Sequence, residues 1–207
     1  MIDLIFPDGS ARQFPPGSSG RDVAASISKS LEKKALLIRL DGQLLDLDRP
    51  LENGGRIEIV MRDDPDALDT IRHDTAHILA EAVQELFPGT QVTIGPNVED
   101  GFYYDFARDE PFSLGDLEAI EGRMRQIVDR DEKIVREVWD RAEAIKHFRD
   151  IGEIYKAEII EGIPGAEPIT VYRQGNWKDL CRGPHLPSTR HVGKAFKLMK
   201  LAGAYWR

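Results

Sequence analysis

The stretch from about Leu68 to Phe87 constrains the fold more than any other segment of the chain. It holds no glycine or proline until Pro88-Gly89, the pair that stops a helix. Placed at about 100° per residue, Ile71, Thr75, Ile78, Leu79, Ala82, Val83 and Leu86 share one broad arc, which predicts a core-facing side. His73 and His77 fall outside that arc, four residues and about 40° apart on the helix surface. The small residues Ala76 and Ala80 flank them, so the spacing predicts a groove where two imidazoles converge.

The segments around this helix must supply the layers it packs against. Residues 1 to 61 read as a small unit of their own. Ile2, Leu4 and Phe6 precede Pro7-Asp8-Gly9, and a second short run ends in Phe14-Pro15-Pro16, which together predict a hairpin. Val23, Ala24, Ile27 and Leu31 follow at helical spacing. Ala35 to Ile38, a turn at Asp41-Gly42, Leu44 to Leu47, and Ile57 to Val60 after Gly54-Gly55 then read as strands. That order, β-β-α-β-β with a closing strand, resembles a β-grasp, ubiquitin-like module. It carries no catalytic constellation, so a binding or spacer role is expected of it. Arg62 to Asp66 is polar, holds Pro65 and reads as a linker.

From residue 62 to 207 the pattern predicts an α+β domain. Strands are expected at Gln91 to Ile94 and Phe102 to Phe106, around the turn at Gly95-Pro96. A helix from Ser113 to Asp129 opens with Ser113-x-x-Asp116. A strand from Ile134 to Trp139, a helix opening at Asp140-x-x-Glu143, and a short helical piece carrying Lys156 come next. Pro168 to Tyr172 reads as a strand and Ala195 to Trp206 as a final extended run.

With 41% apolar residues the chain can bury a core, and no apolar run approaches the roughly 18 to 20 residues of a membrane span. The opening MIDLIFPDGS carries no export signal, so a cytoplasmic location is expected. The single cysteine, Cys181, can form no internal disulfide, which agrees with a reducing compartment. The net charge of −8 hides an asymmetry. From Tyr172 onward eight basic residues face one acid, giving +7, which leaves 20 basic and 35 acidic residues elsewhere, or −15. A cationic tail on an anionic body suits either a solvated face or a local contact with a polyanion.

The chemistry concentrates in a pair of pairs. His73-x-x-x-His77 lies on the helix, and Cys181-x-x-x-His185 spans Gly183-Pro184 and so belongs to a loop. Three imidazoles and a thiolate form a complete tetrahedral set for zinc; they equally form a metal-free cluster that handles protons near neutrality. Asp179, two residues before Cys181, points to the same side as the thiol if the backbone is extended, and can orient a histidine or a ligand amine. Lys156 stands among Glu153, Glu158 and Glu161, as a solvated ion pair would. Tyr103 and Tyr104, after Gly101, are either core or pocket lining.

Three runs together resemble the N-terminal part of bacterial threonyl-tRNA synthetases: Arg72 to Ala80, Ile94-Gly95-Pro96 with Gly101 to Phe106, and Asp179 to His185. The resemblance covers the whole chain. It implies a TGS β-grasp module over residues 1 to 61 and, over 62 to 207, the editing domain shared with alanyl-tRNA editing proteins. The activity it implies is hydrolysis of serine esterified to the tRNA for threonine, with the acceptor end of that tRNA as partner. Carried onto this sequence, His73, His77, Lys156, Asp179, Cys181 and His185 become the expected catalytic group, with His73 positioning or activating water and Asp179 binding the serine ammonium. Gly95, Tyr103, Tyr104 and Arg182 are expected to touch substrate. No cofactor is expected for editing, although His73, His77, Cys181 and His185 are the ligands if zinc binds. ATP and a separate zinc belong to an aminoacylation domain expected to begin near Gly203 to Arg207, and the parent enzymes are homodimers mainly through domains absent here. Two other readings stay open: a zinc-dependent alanyl-type editing hydrolase, and a non-catalytic tRNA-binding module stabilised by zinc.

Overall fold

The computed structural model of the chain describes residues 1–203 and divides it into two compact units. No helix among the described residues is long and apolar enough to cross a membrane. The first unit comprises residues 1–71 with the short segment 183–187. Its sheet contains β1 (Ile2–Ile5), β2 (Ala11–Phe14), β3 (Ala35–Leu40), β4 (Gln43–Asp46) and β5 (Gly55–Met61), in the order β2-β1-β5-β3-β4. β1 and β5 run parallel at the centre, and the hairpins β1–β2 and β3–β4 flank them, which is the β-grasp arrangement. Leu4, Val23, Ile38, Leu47, Leu51 and Ile57 form its core.

Local chemistry explains the elements. Asp41 and Gly42 both hold positive φ, as a two-residue hairpin loop of the primed type requires. The expected single helix is two, α1 (Gly20–Ile27) and α2 (Lys29–Lys34). Ser19 and Asp22 close a capping box at the start of α1, and Ser28 ends α1 while its hydroxyl caps α2 through the Leu31 N–H. A Cβ on Gly20 would stand 2.2 Å from Ile38 Cγ2, so the approach of α1 to the sheet demands glycine there.

α3 (Pro65–Leu86) begins three residues earlier than its apolar period suggests. Pro65 occupies the first helical position, where its missing N–H costs nothing, and the Asp64 carboxylate accepts the N–H of Asp66. Arg39 of β3 contacts Glu58 of β5, lies 2.7 Å from Asp66 and reaches Asp64 at 3.3 Å. The expected linker is therefore tied to the sheet, and the first turns of α3 cluster with the first unit up to Ile71.

The second unit holds residues 72–182 and 188 onward. Beyond the remainder of α3 it contains β6 (Gln91–Val92), β7 (Asn97–Val98), β8 (Gly101–Phe102), β9 (Phe106–Ala107), α4 (Asp116–Arg130), β10 (Ile134–Trp139), α5 (Arg141–Asp150), α6 (Ile154–Gly162), β11 (Ile169–Gln174) and β12 (Trp177–Leu180). β10, β11 and β12 make an antiparallel sheet, while β6 pairs with β9 and β7 with β8. One sheet face buries Ile169 and Val171 against Ala144, Phe148, Ala157 and Ile160 of α5 and α6. The register places Tyr172, Gln174, Trp177 and Asp179 on the other face.

The strands expected around Gly95 are shorter than the alternation implied. Thr93 and Ile94 keep two backbone bonds to Asp105, and Tyr103 to Asp105 lie between ladders. The expected extended run after Ala195 forms no strand among residues 195–203, and the last of it, residues 204–207, lies outside the described residues. This segment is a strap on α4: Lys194 pairs with Asp129, and the Leu198 N–H donates to Glu121. The tail cations are largely neutralised within the chain. Arg173 pairs with Glu137, Arg182 with Glu167, Arg190 with Asp131 and Lys197 with Glu121.

Candidate functional site

From Asp74 to Val83 every residue of α3 is buried, so the polar members of that run need partners. His77 finds one in Asp179 of β12, with its Nδ1 3.2 Å from Oδ2. Asp179 is 1% exposed and is the hub of the cluster. The Tyr104 hydroxyl donates to its Oδ2 at 2.6 Å, and Lys156 Nζ of α6 lies 2.6 Å from its Oδ1. Lys156 also donates to the Tyr104 hydroxyl at 2.9 Å. A buried carboxylate and a buried ammonium are each costly alone, and this mutual pairing with a phenol between them offsets that cost. Burial, then the Asp179 charge, raises the Tyr104 phenol above its ordinary value, so it remains a proton donor.

The Asp179 carboxylate favours a proton on His77 Nδ1, which donates to it. The His77 ring is held edge-on by Tyr104 at 6.3 Å and Trp177 at 5.9 Å between centroids. His73 stands 4.7 Å from His77, ring to ring, and its Nε2 lies 3.1 Å from Cys181 Sγ. His73, His77, Cys181 and His185 form a group that could hold a metal ion, their ligand atoms all within 4.8 Å of one another. Zinc with tetrahedral bonds needs separations of about 3.3 to 3.8 Å, so the set fits after a modest contraction. A carboxylate behind the imidazole, as Asp179 stands behind His77, is the usual outer partner of a metal-bound histidine.

The remaining expected residues are placed unequally. His185 is buried, its backbone N–H donating to Asp46 at 2.8 Å. Gly95 backs the Tyr104 ring: a Cβ there would lie 2.2 Å from Cδ2. Tyr104, one of two residues read as core or pocket, is both buried and bonded by its hydroxyl into the hub. Tyr103 is 44% exposed and outside the cluster. Arg182 is an exposed side chain paired with Glu167. Lys178 lies over the Trp139 ring on the face opposite Asp179.

Sequence reasoning missed the polar groups around the cluster. Trp177 was findable, because alternation along β12 puts it on the face of Asp179. Glu81, one turn beyond His77, accepts from Gln174 at 2.5 Å and lies 3.2 Å from Arg130. Burial pushes its carboxyl up to about 7, with the nearby Glu132 and Glu85 adding to the shift. Gln84 and Glu153 are also buried or half-buried and bond to one another, and no sequence spacing signals that contact.

Comparison with known proteins matches a TGS domain at residues 2–61 and the threonyl and alanyl tRNA synthetase second additional domain at residues 169–204. Over its whole length the chain is 75% identical to a threonine–tRNA ligase of Phenylobacterium zucineum, 78% to one of Caulobacter vibrioides and 64% to one of Parvibaculum lavamentivorans. It spans 32% of the length of each of these relatives, matching their N-terminal part.

Proposed function

We propose that this counterpart of the N-terminal part of threonine–tRNA ligases is an editing hydrolase that releases serine wrongly esterified to the tRNA for threonine. The observation that carries the reading is the buried Lys156–Asp179–Tyr104 hub, which holds His77 one helical turn from His73 and its thiol partner. The need for such a step follows from recognition energetics. Serine lacks only one methyl of threonine, worth about 1 to 3 kcal/mol or about 10 to 200-fold, so a second sieve must reject what the first admits.

In the reaction a water oxygen bonds to the ester carbonyl carbon and the bond to the terminal ribose oxygen breaks. His73 takes the water proton and returns it to the leaving ribose oxygen, giving free serine and uncharged tRNA. Both Asp179 oxygens are already engaged by Lys156, Tyr104 and His77. Asp179 therefore acts on the substrate by aiming His77 and holding Lys156 rather than by gripping the serine ammonium directly. Lys156 supplies positive potential where the carbonyl oxygen becomes negative, in a dry site where that potential is strong. Cys181 and His77 shape the wall that excludes the threonine methyl.

A second reading is favoured by one feature, the fit of the His and Cys group to zinc. His73, His77, Cys181 and His185 would hold the ion, which would supply Lewis acidity and a more acidic bound water. Metal analysis of protein purified without chelator or added zinc separates the two; one tightly held zinc per chain overturns the metal-free mechanism. The function itself is tested by presenting serine and threonine esters of the threonine tRNA. Serine should be released much faster, and equal rates, or none from folded protein, would refute editing.

A further inference from the structure

We propose that Glu153, a buried carboxylate with no part in the chemistry above, is the positioning residue at which the three elements bearing the hub are fixed to one another. Glu153 is 6% exposed and stands at the start of α6, three residues before Lys156. Its Oε2 accepts the backbone N–H of Val92 at 3.0 Å, on the strand that leads into the Gly95 turn and Tyr104. Its Oε1 accepts from Gln84 Nε2, on α3 two turns beyond His77. Gln84 in turn accepts the Trp177 indole N–H at 2.7 Å, and that indole braces the His77 ring. One carboxylate thus connects to Lys156 along its own helix, to Tyr104 through a short strand, and to His77 through an amide and an indole.

The choice of a carboxylate here needs a reason. Burying the charge is unfavourable, and burial does raise its carboxyl above the ordinary range. An apolar side chain of similar size would satisfy packing more cheaply, but it would leave the Val92 N–H without an acceptor and the Gln84 amide with the Thr90 carbonyl alone. Two directed hydrogen bonds to one rigid, planar group tie α3 and β6 to the start of α6. A hydrolytic site that loses 1 Å of such alignment can lose about 100-fold in rate.

The inference rests on the editing reading for its kinetic arm only. Glu153→Gln keeps the shape but turns one acceptor into an amide donor, which then confronts Val92 N–H or Gln84 Nε2. In the 207-residue chain it should lower kcat for seryl ester hydrolysis about 10-fold with KM changed less than about 2-fold. The exchange Glu153→Gln with Gln84→Glu restores a donor facing an acceptor and keeps an acceptor for the Trp177 indole, at the cost of the bond to the Thr90 carbonyl, which then faces a carboxylate oxygen. It should recover most of the lost kcat. A second readout is independent of activity: the Trp177 indole N–H resonance should move in Glu153→Gln and return in the exchange. Unchanged kcat and an unmoved indole signal in a folded Glu153→Gln protein would overturn the proposal, as would an exchange that rescues neither. If the parent chain releases no serine, the editing reading fails while the indole signal still decides this one. If Glu153→Gln does not fold, the exchange decides alone, and failure of both to fold makes Glu153 a folding element and refutes the positioning role.

Discussion

Glu81 offers a way to read the electrostatics of the α3 interior through stability. Its carboxyl is displaced from 4.5 to about 7, first by burial and then by the neighbouring acids, so the folded chain holds a proton that the unfolded chain has released. Between those two values stability must fall as pH rises. A displacement of this size corresponds to a loss on the order of 3 kcal/mol, which has not begun below about pH 4.5 and is complete above about pH 7. Glu81→Gln removes the titration and retains an oxygen to accept from Gln174. Near pH 5 the two proteins should differ by no more than about 1 kcal/mol, the worth of an altered hydrogen bond. Near pH 8 the variant should be the more stable by about 2 to 3 kcal/mol, a shift of about 1 M in urea midpoint. Residues 1–71 and 183–187 contain no tryptophan, and Trp139 and Trp177 lie in the second unit, so tryptophan fluorescence follows the unit that contains Glu81. A stability difference that stays constant from pH 5 to pH 8 would mean that Glu81 is ionised throughout and would refute the reasoning.

Lys156→Met strands the Asp179 charge and should destabilise the second unit by about 3 to 5 kcal/mol in urea; adding Asp179→Asn should recover more than half. Gly95→Ala drives a methyl into the Tyr104 ring, with an expected loss of about 1 to 3 kcal/mol by thermal melting. Its kinetic penalty should shrink in a Tyr104→Phe background, where the hydroxyl is already gone, and full additivity would count against that link. Arg39→Met releases Asp64 and Asp66 and should cost about 1 kcal/mol, visible as faster amide exchange in the first turn of α3 and nowhere else in that helix.

The parts legible in the sequence are those set by neighbours along the chain. Alternation and the Asp41-Gly42 turn were enough for the β-grasp order, and the 3.6-residue period found α3 and the histidine couple on it. The start of α3 escaped because Pro65 and Asp64 build it by capping, where no apolar period exists. The burial of His77 escaped because a helix read alone shows one apolar arc, whereas here a second layer carrying Trp177 and Asp179 covers the arc that looked polar. Tyr104 was ambiguous for a sound reason: a phenol buried for packing and a phenol buried for its hydroxyl look the same until its partners are placed. Glu153 and Gln84 meet across 69 positions of sequence, and contacts of that kind leave no trace in spacing.

The strap on α4 changes what the basic tail can offer an RNA. Among the described residues, at least five of its eight cations sit against carboxylates of the same chain. A phosphate arriving there exchanges places with a tethered anion, so few mobile ions return to the solvent. Affinity through this face should consequently decline with salt much less steeply than eight unpaired charges would dictate.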